Sequence, residues 1–118
     1  MDYKDWDYSY SVHKNKKGTH FDMRLFCPSG AELVYSWSSK HNFWKERYPV
    51  PIIRTKDHAL SSINYEEDSE ENIVKIVSKG TALLLDAEKG FLLFKTELGD
   101  IFSLKNLRGK RYIFTSIK

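Results

Sequence analysis

His20-Phe21-Asp22-Met23-Arg24-Leu25 alternates polar and apolar side chains at every step. Successive side chains of a β-strand point to opposite faces, so the stretch reads as a strand with Phe21, Met23 and Leu25 in a core. His20, Asp22 and Arg24 then share the other face. Residues two apart on one face stand about 7 Å from each other, close enough for an imidazole and a carboxylate to converge on one cation.

Working outward, short β-branched and aromatic runs recur with turn residues between them, and long helical periodicity is absent. Candidate strands are Tyr8 to His13, His20 to Phe26, Glu32 to Trp37, Ile52 to Lys56, Ile73 to Val77, Thr81 to Asp86, Phe91 to Lys95, Ile101 to Leu104 and Arg111 to Ile117. Gly30, Gly80, Gly90, Gly99 and Gly109 fall in the gaps. So many strands in 118 residues leave few open edges, and the expected fold is all-β, a small closed or nearly closed barrel of about eight strands. One short helix is expected around Asn42 to Arg47, with Pro49 and Pro51 keeping the next segment extended. Residues 1–118 form one domain in this reading, with residues 1–7 a loose N-terminal segment and Glu66 to Glu71 an exposed acidic loop.

Composition bounds the function. With 41% hydrophobic and 14% aromatic residues the chain can build a core. Its longest apolar run, Ala82 to Leu85, is far short of a bilayer span, and the polar start lacks the apolar stretch of a secretory signal. A cytoplasmic protein without a membrane partner is the expectation, and the single Cys27 agrees with a reducing compartment. Net charge is only +3, but Lys105, Arg108, Lys110, Arg111 and Lys118 follow the last acid, Asp100. One basic face is therefore plausible.

His20 and Asp22 offer a nitrogen and an oxygen ligand, a mixed set that suits an octahedral ion such as Mn²⁺ better than the thiolate cages of structural zinc. Arg24, beside Asp22, presents a planar fork matched to a phosphate. A third ligand is sought on the preceding strand, where His13 and Asn15 stand just before the turn Lys16-Lys17-Gly18. The plainer alternative is an ordinary solvated face on which Asp22 and Arg24 pair with each other.

The order of several elements resembles the 3′-phosphoesterase family found fused in bacterial DNA ligase D and as free-standing archaeal proteins. There a strand ending in a QKH-like tripeptide leads through a basic turn into HYDxRL, as Val12-His13-Lys14-Asn15 leads here into His20 to Leu25. The family's glycine hairpin, SW pair and lysine resemble Gly30, Ser36-Trp37 and Lys40, and its EDHP segment resembles Lys56-Asp57-His58-Ala59 in part. A G-T pair and a glycine-led last strand resemble Gly80-Thr81 and Gly109 to Lys118, so the likeness runs over residues 8–118.

That resemblance implies a Mn²⁺-dependent enzyme that trims a 3′-phosphate or a 3′-ribonucleotide from a primer-template end in DNA repair, with separate ligase or polymerase chains as partners. It implies His20 and Asp22 as metal ligands, Arg24 and His58 on the phosphate, and Lys40 as a second positive contact. His58 is also the candidate proton donor, because imidazole titrates near neutrality. Asn15 stands where the family has a ligating histidine, Ser62 where it has a tyrosine, Lys56 where it has an acid and Val50 where it has an arginine. Asn15 offers a carbonyl oxygen, and His13 substitutes for it if the shortened turn shifts register. The alternative is a member that binds nucleic-acid ends or a repair partner without hydrolysis, using Trp37, Phe43, Trp44 and Tyr48 between Lys40, Lys45 and Arg47. Those rings serve a core equally well. No residue pattern points to a small ligand inside the barrel.

Overall fold

The computed structural model describes residues 5–28 and 33–117, the Lys45 side chain excepted. Its strands are β1 (Asp5–Asn15), β2 (Gly18–Phe26), β3 (Leu33–Ser39), β4 (Val50–Ala59), β5 (Glu67–Asp68), β6 (Asn72–Glu88), β7 (Phe91–Thr96), β8 (Ile101–Arg108) and β9 (Arg111–Ile117). All pairings are antiparallel, in the order β1-β2-β3-β4-β9-β8-β7-β6, and β6 returns to pair with β1. The expected eight-stranded barrel is therefore closed, and β5 is a short addition along β6.

Strand bounds differ from the sequence reading in instructive ways. β1 begins at Asp5, so Asp5 to Asp7 are strand and Trp6 is core, where residues 1–7 were expected to be loose. Residues 1–4 and Gly30 lie outside the described residues. The runs expected as two strands, Ile73 to Val77 and Thr81 to Asp86, are one strand, β6. Gly80 does not turn the chain: its φ of +151° is accessible to glycine, and it stays in register with Tyr8 of β1. The helix expected over Asn42 to Arg47 is a single 3₁₀ turn, Phe43–Lys45. A second 3₁₀ turn, Leu60–Asn64, leads into the acidic segment, which supplies β5.

Inside the barrel the even residues of β1 and the odd residues of β2 meet, as alternation requires: Tyr8, Tyr10, Met23 and Leu25 are buried and Phe21 packs against them. Phe102 lies stacked between Phe94 and Phe114, at centroid distances of 5.2 and 5.5 Å. The Phe43–Lys45 turn plugs one end of the barrel. Phe43 meets Tyr10 edge to face and Trp44 stacks on Tyr8 and Tyr10. Tyr10 donates its hydroxyl hydrogen to Asn42 Oδ1 at 2.8 Å, and burial pushes its phenol well above the ordinary range. Trp37, Phe43 and Trp44 are thus core or packed on it, and of the four rings considered for base stacking only Tyr48 is exposed.

The outer wall of β1, β2 and β3 is covered as well. Leu60–Asn64 lies across these three strands, with Ile63 buried, so that Ser9, Ser11, Asp22 and Ser36 are buried although they point out of the barrel. Three serines under a covering turn make physical sense, because short side chains let a second layer of backbone approach. Among the described residues no helix is long and apolar enough to cross a membrane.

Candidate metal centre on the outer wall

The site is built on one hairpin. Register places His13 of β1 directly opposite His20 of β2, and Ser11 opposite Asp22. Directly opposed residues point to the same face, so His13 joins His20 and Asp22 on the outer wall. His13 Nδ1 lies 3.1 Å from His20 Nε2, and His20 Nε2 lies 3.3 Å from Asp22 Oδ2. One ligand atom from each of the three falls within 4.8 Å of the others.

Those spacings fit a metal ion. Two ligands about 2.1 Å from one ion and at right angles to each other are about 3 Å apart. Two imidazole nitrogens and one carboxylate oxygen on one side of an ion leave its other positions free for water or substrate. Asn72 of β6 supplies the outer contact: His13 Nε2 is 3.1 Å from Asn72 Oδ1. A carboxamide oxygen only accepts, so the imidazole hydrogen resides on Nε2 and the Nδ1 lone pair faces His20. Asn72 was not singled out in the sequence, where no spacing or motif connects it to His13.

The two candidates for the third ligand are separated by their contacts. Asn15 Oδ1 accepts the Lys17 backbone N–H at 2.8 Å and so closes the β1–β2 turn. Asn15 Oδ1 thus serves the turn with one of its two lone pairs, and of the two candidates His13 is the one whose ring lies against His20. Asp22 does not pair with Arg24. It faces His20, while Arg24 Nη1 donates to the Ser62 carbonyl at 2.9 Å. Arg24 Nε and the Ser62 and Ser11 hydroxyls are buried without a hydrogen-bond partner among the described residues.

His58 reaches this wall through a bulge. Ser36 pairs with Thr55, yet Val34, two residues earlier on β3, pairs with His58, three residues later on β4. The extra residue in β4 turns its side chains over, so His58 faces outward where Asp57 would have stood. Burial lowers the His58 pKa from its ordinary 6.5, and the Arg24 guanidinium, ahead of Lys56, lowers it further, while Asp22 and Asp57 act in the other direction. Lys40 is exposed, one step past the Phe21–Ser39 pair and at the same end of the sheet as His20.

A pH dependence follows. The folded state binds the His58 proton less readily than the unfolded chain, so just below pH 6.5 the unfolded state carries more protons. Stability is complete above that window and falls as pH drops through it. Denaturant midpoints measured at about pH 8 and about pH 5.5 should be lower in acid, and His58→Gln should remove part of the difference.

No protein-family model matches the chain, and no curated protein matches it in sequence.

Proposed function

We propose that the outer wall is the active site of a metal-dependent phosphoesterase acting on 3′-phosphate or 3′-ribonucleotide ends of nucleic acid. The observation that carries the reading is the meeting of His13, His20 and Asp22 at ligand spacing on the same face as Arg24 and His58. The resemblance of His20 to Leu25, Ser36-Trp37 and Asp57-His58 to the 3′-phosphoesterase family supports it from the sequence side.

His13, His20 and Asp22 would hold the ion, with Mn²⁺ suited to their mixed nitrogen and oxygen donors. Such an ion, when bound, polarises a phosphate oxygen and makes bound water more acidic. Arg24, fixed at one nitrogen by the Ser62 carbonyl, keeps further N–H groups for phosphate oxygens and opposes the charge that grows on them. His58 faces the same wall and, when protonated, would donate to the departing 3′ oxygen; its lowered pKa favours the neutral ring and places that role on the acid side of neutrality. Leu60–Asn64 packs on β1, β2 and β3, and Asp22 is buried on that wall.

Phosphate release from a 3′-phosphorylated primer on its template is the direct test. Release should require added Mn²⁺ and should fall at least tenfold in Arg24→Ala, because a lost charge-stabilising donor in this kind of site is worth about two to three orders of magnitude. Mn²⁺ binding without any release would instead support the alternative, a domain that holds nucleic-acid ends without hydrolysis.

A further inference from the structure

The described residues leave space at the end of the barrel away from the Phe43–Lys45 plug. A cavity of about 330 Å³ opens there, walled by Trp6, Tyr35, Trp37, Phe91 and Tyr112, with Arg54 at its edge. The Arg54 guanidinium lies over the rings of Tyr35 and Trp37, 5.1 and 5.9 Å from their centroids, and is steadied by Asp57 at 3.0 Å. Trp37 is only 3% exposed, and its indole nitrogen has no hydrogen-bond partner among the described residues. An indole N–H only donates, so a buried one without an acceptor is costly in the free protein.

Positive charge gathers on one side of the same mouth. The turns at 89–90 and 109–110 join β6 to β7 and β8 to β9 at this end, and Asn106 N–H donates to the Gly90 carbonyl, which ties the two turns together. Lys89, Arg108, Lys110 and Arg111 are all exposed on or beside them, against Glu88 as the acid lining the cavity. Arg108, Lys110 and Arg111 belong to the acid-free end of the chain, which the outer-wall site does not use. Aromatic walls suit a planar ring, and the volume sits at the small end of ligand sites, about 300–1,000 Å³. This group of cations exceeds what one uncharged heterocycle would require and matches a phosphodiester backbone.

We propose that this mouth is a nucleobase pocket for single-stranded nucleic acid. One base enters between the aromatic walls. Arg54 covers it from the edge, and the flanking phosphates lie along Lys89, Arg108, Lys110 and Arg111. The inference needs no metal and does not rest on the phosphoesterase reading.

Trp6 and Trp37 line the cavity, so binding should quench intrinsic fluorescence. The probe is a single-stranded oligonucleotide of about eight residues with a plain 3′-hydroxyl, titrated in EDTA at low salt. Saturable quenching is expected, weakened about tenfold in Arg54→Ala and by a similar factor when the strand is replaced by an abasic one of equal length. Arg108→Glu combined with Arg111→Glu changes only exposed side chains and should weaken binding and flatten its salt dependence. His20→Ala should bind as the parent does, which separates this site from the outer wall. Equal binding of abasic and intact strands would overturn the proposal, as would a free nucleoside monophosphate binding as tightly as the strand. So would an absence of quenching.

Discussion

His20→Ala should lower Mn²⁺ affinity by more than about 100-fold, the upper range for losing even an outer-shell contact of a metal site. His20 Nε2 lies within 3.3 Å of both His13 Nδ1 and Asp22 Oδ2, so its removal takes away the ligand that the other two share and leaves only two. The side chain is one-third exposed, and the variant should keep its fold and its near-ultraviolet circular dichroism. Isothermal titration with Mn²⁺ gives the affinity directly, and phosphate release from the 3′-phosphorylated primer should vanish with it. Asn15→Ala is the control, because its side chain serves the turn and its loss should leave the titration within about threefold. Parental Mn²⁺ binding by His20→Ala would refute the outer-wall metal centre outright.

Phe102→Ala should destabilise the fold by about 3–5 kcal/mol, the usual range for emptying a buried phenylalanine site. The ring is 1% exposed, stacked on both sides, and touched by Trp44 from the plug. A closed barrel gives its wall little freedom to collapse inward, which places the loss toward the upper part of that range. Against a total stability of about 5–15 kcal/mol for an ordinary domain, the change should lower the thermal midpoint by more than about 10 °C. Thermal unfolding followed by far-ultraviolet circular dichroism checks it. A shift of about 3 °C or less would mean that the Phe94, Phe102 and Phe114 stack is not the centre of the core.

Much of this scaffold is written in local pattern. Alternation over His20 to Leu25 placed three side chains in and three out, and the number of short strands called for closure. Pattern fails where a contact depends on partners distant in the chain. Trp6 is core only because β1 pairs along β6, and β6 runs on through Gly80 because Tyr8 stands opposite it. The outward orientation of His58 depends on one extra residue in β4, which no hydrophobic period encodes. Choosing between His13 and Asn15 needed the register of the β1–β2 pair and the capping bond to Lys17, and Asn72 joins His13 only through the barrel seam. The aromatic mouth was invisible for the same reason: its walls come from β1, β3, β7 and β9.

The hairpin location of the trio bears on how the chain folds. His13, His20 and Asp22 are brought together by the β1–β2 turn alone, a closure of short range and low entropic demand. Sealing the barrel requires Asp5 to find Leu83 and Asn15 to find Asn72, pairings distant in the chain that belong to the slow part of folding. Ligand geometry can therefore be set while β6 is still unpaired, and the arrival of Asn72 later fixes the His13 ring. A cation captured at that earlier stage clamps the two strands at one register, and a slip by a single residue would turn the trio to the opposite face. A cation bound as proposed would thus double as a pin for the first hairpin.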